Sequence, residues 1–221
     1  MTTRVESKAW DWEQQDERWL QPSDEFQPVA RRWQARGWKR AADIGCGLGR
    51  HSLLLASMGF GVTAVDLSRQ GLDRLESEAR RLHLDERIRA VQADLADLPE
   101  DLGTFDCVLS FHALYHTDLD GLKRAIAWVT RHLEPGGGFY VTFKSKNNAS
   151  YRWPGQRLVD GYTVVRETGT EAGIPHTYLA YEDIVQLLHG YDHAKVQQIE
   201  DFYRDGRSGI HFFVEAYRST P

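Results

Sequence analysis

Apolar and polar positions along the chain alternate between two periods, one fitting strands and one fitting helices. "RAADIG" (40–45) is a short apolar run ending at glycine and predicts a strand. A helix is expected from about Arg50 to Ser57, stopped by Gly59. "GVTAVDLS" (61–68), rich in β-branched residues, predicts a second strand that ends at an acid. Leu72, Leu75, Ala79 and Leu82 then recur at i, i+3, i+7 and i+10, one face of a helix for which Ser68 is a suitable N-cap. "IRAVQAD" (88–94) reads as a third strand, again ending at an aspartate. "FDCVLSF" (105–111) is almost continuously apolar, as a strand covered on both faces should be. Leu119, Leu122, Ile126, Val129 and Leu133 hold a helical register, "EPGGG" predicts a hard stop, and "FYVTFKS" (139–145) is the fifth strand.

This alternation implies an α/β fold: a Rossmann-like, doubly wound sheet of about seven strands, mostly parallel, with right-handed crossovers. The rhythm changes after residue 145. "KSKNNASYRWPGQ" reads as a polar loop, "YTVVRE" as an extra strand and "YEDIVQLLHG" as a short helix. The chain closes with two strands, 194–201 and 209–217, joined by the hairpin turn "YRDGRSG", so an antiparallel pair ends the sheet. Residues 7–36 read as a helical segment broken near "QPSDEFQP". Its Trp10, Trp12, Trp19 and Trp33 are expected to pack it onto the rest, or in one or two cases to close over a ligand.

Composition narrows the function classes. The 221 residues are 41% hydrophobic and 27% charged, which fits one soluble globular unit. A formal charge of −5 gives no bias toward nucleic acid, and basic pairs such as Arg31-Arg32 are short. No apolar run approaches the roughly 18 residues that span a bilayer. Two cysteines, Cys46 and Cys107, provide neither a disulfide framework nor a metal cluster. With no apolar leader in "MTTRVESKAWDWEQQ", a cytoplasmic protein is expected.

The chemistry concentrates at Gly45-Cys46-Gly47-Leu48-Gly49-Arg50. In an open parallel sheet the loop after the first strand cradles the ligand, and glycine lets the backbone approach it. The pattern is GxGxG, with Arg50 where the last glycine of a dinucleotide fingerprint would stand. Asp66 ends the second strand, where a carboxylate can accept from two ribose hydroxyls. Asp94 can reach the base of an adenosine, and Asp43 lies under the glycine turn, where it can face a cationic amino group. Three carboxylates suit a positively charged ligand without phosphates, which fits S-adenosylmethionine better than NAD or ATP.

With these motifs the chain resembles the class I S-adenosylmethionine-dependent methyltransferases, of the small-molecule type. "ADIGCGLGR", "VDLS", "QADLADLP", "FDCVLSFHALYHT" and "LEPGGGFYVTF" follow one another at the family's spacing between residues 40 and 145. The resemblance implies roles. Asp43, Gly45 and Gly47, with Cys46 in the same cradle, would line the methionine part of the cofactor. Asp66 would hold the ribose, with Leu67 on the adenine. Asp94 would accept from the adenine amino group beside Leu95, and Ser110 and Phe111 would sit below the sulfonium. It also implies one methyltransferase domain over 1–221. Residues 1–38 would be its N-terminal helical segment and 39–145 its cofactor-binding core. Residues 146–180 would be a substrate cover and 181–221 a C-terminal helix and strand pair.

Methyl transfer needs alignment more than a catalytic nucleophile, and a base only for a protonated acceptor. The candidates are His116, His112 and Tyr115 after the fourth strand, then His176 in the insertion; Tyr203 and His211 near the hairpin carry less weight. "SFHA" stands where amino-group methylation of bases shows an Asn/Asp-Pro-Pro-aromatic stretch, so a small-molecule O, N, S or C nucleophile is expected. A thiol or chalcogen acceptor, a non-catalytic cofactor sensor and an NAD-dependent oxidoreductase are the rival expectations.

Overall fold

β1 (Arg40–Ile44) is the central strand, and the computed structural model describes the chain around it over residues 5–12, 17–169, 171–203 and 206–220. β2 (Gly61–Asp66) and then β3 (Ile88–Gln92) lie on one side of it. β4 (Phe105–Ser110) and β5 (Leu133–Ser145) lie on the other, and all five are parallel. β9 (Tyr191–Phe202) and β10 (Ser208–Arg218) form the expected antiparallel pair, and β10 adds antiparallel to the free edge of β5. The strand order therefore reverses between β1 and β4, which opens a crevice beyond their carboxyl ends.

Both faces of the sheet are covered. On one, α4 (Leu119–His132) packs Leu122, Ile126 and Val129 against Val108, Phe139 and Val141. On the other, α1 (Gln27–Ala35) and α2 (Arg50–Ser57) set Trp33 and Leu55 against Cys107, Leu109, Tyr140 and Phe213. Successive residues of β4 thus enter opposite cores, which is why its sequence does not alternate. α3 (Arg69–Arg81) starts at Ser68, whose Oγ accepts from Gly71 N at 3.3 Å. α4 starts at Asp118, which accepts from Gly121 N at 2.7 Å. Arg32 of α1 forks onto the buried Glu215 of β10 at 2.5 and 3.1 Å, fixing the helix to the sheet.

Several expectations need correction. Residues 7–12 are not helical; they run as irregular chain, residues 13–16 lie outside the described part, and the first regular helix is α1. α3 ends at Arg81, so Leu82 leaves the buried face and is 41% exposed. β3 stops at Gln92, which puts Asp94 in the following turn. "EPGGG" follows the end of α4 at His132, as expected, but no loop separates helix and strand, and Leu133, given a helical register, is not part of α4. β5 begins at Leu133 and absorbs these residues at a register irregularity opposite Phe105 and Cys107, with Gly136 at φ 75°.

The insertion holds more structure than its polarity suggests. β6 (Gln156–Leu158), the expected β7 (Thr163–Arg166) and β8 (Pro175–Leu179) form a small antiparallel sheet. β8 runs parallel to Lys144 and Ser145 of β5, beyond the point where β4 ends. Thr177 N donates to Tyr115 O at 2.8 Å, and Thr177 Oγ1 donates to Thr117 O at 2.6 Å. These bonds stitch the insertion to the loop after β4. α5 (Tyr181–Leu187) then leads into β9.

Trp33 has no exposed surface and fills the space above Gly138, where a Cβ would come within 2.7 Å of its Nε1. Trp33→Ala should therefore lower unfolding free energy by about 3–5 kcal/mol, read from the urea midpoint at unchanged slope.

Candidate functional site

The turn after β1 is built on left-handed backbone. Gly45, Gly47 and Gly49 have φ of 75°, 56° and 80°. Side chains are excluded as well: a Cβ on Gly45 would lie 2.2 Å from Ala113 Cβ, and one on Gly47 would lie 2.6 Å from the Trp12 ring. Gly45 N and Cys46 N both donate to Val65 O, at 2.7 and 3.0 Å, so β2 holds the turn in place. Asp66 accepts from Gly47 N through one oxygen and from Ser68 N through the other, each at 2.8 Å. Burial raises its pKa while these N–H groups oppose the rise. Each carboxylate oxygen retains a further lone pair for a ligand hydroxyl.

One cavity of about 280 Å³ opens at this turn. It brings together Gly45, Cys46, Gly47, Asp66, Leu67, Asp94, Leu95, Phe111, His112, Tyr115 and His116 from the loops after β1, β2, β3 and β4. Asp94 fixes its own turn by accepting from Ala96 N at 2.8 Å.

Asp43, Ser110 and His176 do not line the cavity. Asp43 is 1% exposed beneath the glycine turn, where it accepts from Ser52 Oγ at 2.6 Å; burial lifts its pKa to about 7. Ser110 donates to Ile44 O at 2.8 Å, a link between β4 and β1. His176 lies behind His116, with ring centres 4.7 Å apart, and its Nδ1 is 3.0 Å from Ile174 O. Strand geometry decides this: side chains at successive positions point to opposite faces, and the carboxyl-end loops alone reach the crevice.

The far end of the cavity is rich in histidine. His112 has φ 55°, a strained conformation for a residue with a side chain, and its N–H donates to Thr142 Oγ1 at 2.6 Å. Its ring lies 4.5 Å from that of His211. His116 packs on Tyr115 at 4.5 Å and on Trp10 at 5.6 Å. Burial pushes His116 and His211 down to about 3, and His51, His112 and His176 well below the ordinary imidazole value. All five are neutral at pH 7. The Nδ1 atoms of His116 and His211 are buried without a hydrogen-bond partner. Burial also pushes up the Tyr115 hydroxyl and both thiols, so neither a phenolate nor a thiolate is available.

The N-terminal tryptophans complete this wall. Residues 7–12 form one side of the cavity with Trp10 and Trp12, and Trp19 joins them. That segment is tied down at Val5 N to Asp118 Oδ2, Lys8 Nζ to Ala172 O and Trp12 N to Gln70 Oε1. The alternative that these tryptophans flank a ligand site therefore describes Trp10, Trp12 and Trp19, whereas Trp33 is core. Lys144, Glu171 and His51 were missed in the sequence, and Tyr203 and His211, given little weight, both face the cavity. One signal for Lys144 was present: a single lysine near the carboxyl end of an apolar strand.

Residues 41–137 match the family model described as a methyltransferase domain. Over 104 residues the chain is 41% identical to the cypemycin N-terminal methyltransferase of a Streptomyces species, a match covering 45% of this chain and 39% of that protein. It is 32% identical over 146 residues to the ubiquinone biosynthesis O-methyltransferase of Burkholderia cenocepacia, covering 61% of each. The matched stretches thus span about two fifths to three fifths of those relatives. The fold is shared with the 1,6-didemethyltoxoflavin-N1-methyltransferase of Burkholderia thailandensis, solved with bound 1,6-didemethyltoxoflavin and S-adenosylhomocysteine. The TM-score is 0.66 at 19% identity, over 89% of this chain and 79% of that one.

Two outcomes are expected for this protein. Gly45→Ala combines positive φ with the Ala113 collision, so affinity for S-adenosylhomocysteine should drop at least about tenfold in calorimetry. The second concerns acid. Histidines whose folded pKa is depressed bind protons only in the unfolded chain, so stability is lost as pH falls below about 6.5. His116 and His211 should each cost about 2 kcal/mol at pH 5. Asp43, Asp66 and Asp201, whose folded pKa values are raised, oppose them by gaining stability as pH falls, but they are three groups against five. The Tm should decrease between pH 6.5 and 5, and His211→Phe should flatten that decrease.

Proposed function

We propose that the protein is an S-adenosylmethionine-dependent methyltransferase acting on a small-molecule acceptor. One observation carries the reading. A glycine turn closed to side chains, the carboxylates Asp66 and Asp94 and a histidine-rich end share a single cavity at the switch point of the sheet. The residues fit the cofactor. Gly45, Cys46 and Gly47 would hold its methionine portion, Asp66 its ribose hydroxyls, and Leu67, Asp94 and Leu95 its adenine. Asp43 supports the turn from below, and Ser110 keeps β4 against β1. S-adenosylmethionine, when bound, supplies an electrophilic methyl carbon on a sulfonium.

The remaining work is positioning. Phe111, Tyr115 and Trp10 form an aromatic wall that orients the acceptor and keeps water away. His116 Nδ1 takes the acceptor's proton. It is a weak base, but a weak base is enough, because a nucleophilic O–H or N–H becomes strongly acidic as its new bond forms. His112, beside it, sets the shape of the loop through its left-handed backbone. His176 backs His116 from behind. Unpartnered Nδ1 atoms at the acceptor end support turnover over mere cofactor sensing.

Calorimetry should find S-adenosylhomocysteine binding and no NAD binding. Methyl-labelled cofactor should transfer label into a small-molecule fraction of cell extract. With that acceptor, His116→Ala should reduce kcat about 100-fold and leave S-adenosylhomocysteine affinity within about twofold. Binding of NAD alone would overturn the reading, and an unchanged kcat would remove His116 from it.

A further inference from the structure

Lys144 stands near the carboxyl end of β5, in register with Tyr178 on β8 and His211 on β10. It is 8% exposed and lines the cavity. Its ammonium lies 5.5 Å from the ring centres of Tyr115 and of Tyr178. Among the described residues no hydrogen bond or ion pair reaches it. Glu171, whose charge favours the ammonium, is itself paired with Arg166 and lies 3.4 Å from His176 Nε2. Lys146, two residues on, shows the usual solution: its Nζ bonds Asp183 Oδ2 at 3.1 Å.

A buried cation whose nearby carboxylate is already paired with another cation is incompletely compensated, which is costly. The two tyrosine faces offset part of that cost. The rest of the need is directed into the cavity. The Nδ1 of His211, buried and without a partner, belongs to the residue beside Lys144 in the sheet. In the tautomer that carries its proton on Nδ1, the His211 imidazole and the neighbouring ammonium form a seat for an anionic oxygen. Tyr115, whose ring faces the ammonium, lines the same cavity as Phe111, Trp10 and Tyr203.

We propose that Lys144, with His211, selects the methyl acceptor by anchoring an oxyanion, a carboxylate or an ionised phenol, carried on an apolar aromatic body. The inference rests on the methyl-transfer reading, and the two can fail separately. Protein saturated with S-adenosylhomocysteine is titrated with benzoate, 4-nitrophenolate and the neutral benzamide, with binding followed by ligand-observed NMR. Benzoate or 4-nitrophenolate should bind at least about tenfold more tightly than benzamide, and whichever is favoured names the oxyanion. Lys144→Met should lose that preference, and Lys144→Arg should keep part of it. Both variants should bind S-adenosylhomocysteine within about twofold of wild type, which also reports that they fold.

Three results would overturn the proposal: no binding of either anion by wild type, equal binding of benzamide, or an unchanged anion preference in Lys144→Met. A tenfold loss of S-adenosylhomocysteine affinity in Lys144→Met would also overturn it, by assigning the lysine to the cofactor's own carboxylate. Failure of wild type to bind S-adenosylhomocysteine at all would instead sink the methyl-transfer reading.

Discussion

The carbonyl of Val65 accepts hydrogen bonds from both Gly45 and Cys46, and the arrangement of the site depends on that pair of contacts. They bend the chain into left-handed backbone at the end of β1, a conformation that only glycine adopts without strain. Once the turn is held there, Gly47 N meets the Asp66 carboxylate, and the same carboxylate braces the start of α3 through Ser68. Backbone chirality, hydrogen bonding and the placement of an acid on the neighbouring strand are thus one constraint. It leaves the backbone of Gly45 and Gly47 bordering the cavity, with Ala113 and Trp12 packed closely against it.

The opposite end of the cavity follows a different logic. Polar groups there are desolvated and only partly satisfied, which lowers the basicity of every histidine near them. Such a cluster is poor at holding a protein together, since each unpaired buried nitrogen costs free energy. Its value lies in contacts that a ligand completes. The insertion after β5 encloses it: β8 adds to β5 beyond the end of β4, and Thr177 bonds back to the loop that carries Tyr115 and His116. The acceptor end is therefore assembled from segments distant in sequence, whereas the cofactor end comes from consecutive strand–loop–helix units.

That contrast explains what could be read before the structure. The parallel strands, their order of appearance and the acids that close them are local patterns, and Gly45, Gly47 and Asp66 stand where the pattern put them. Misplacements arose where local pattern and tertiary context diverge. Asp43 and Ser110 point away from the crevice because strand side chains alternate. Leu82 keeps the helical period but lies one residue past the end of α3. "EPGGG" does follow the end of α4, but the next strand starts earlier than its apolar run, because β4 and β10 flank it and hold it extended. Lys144, Glu171 and the Trp10–Trp12 segment join the site only through long-range contacts, for which a single sequence offers no period to detect.

Trp12 and Gly47 occupy one another's space: the ring sits where a Cβ on the glycine would be. A side chain at 47 must therefore displace this ring, besides bearing the strain of left-handed backbone. An ancestor or descendant with a bulkier residue at 47 must have a smaller one at 12, so the two sites should covary. The irregular N-terminal segment, which carries no regular structure of its own, is then tied in its history to the most constrained turn in the molecule.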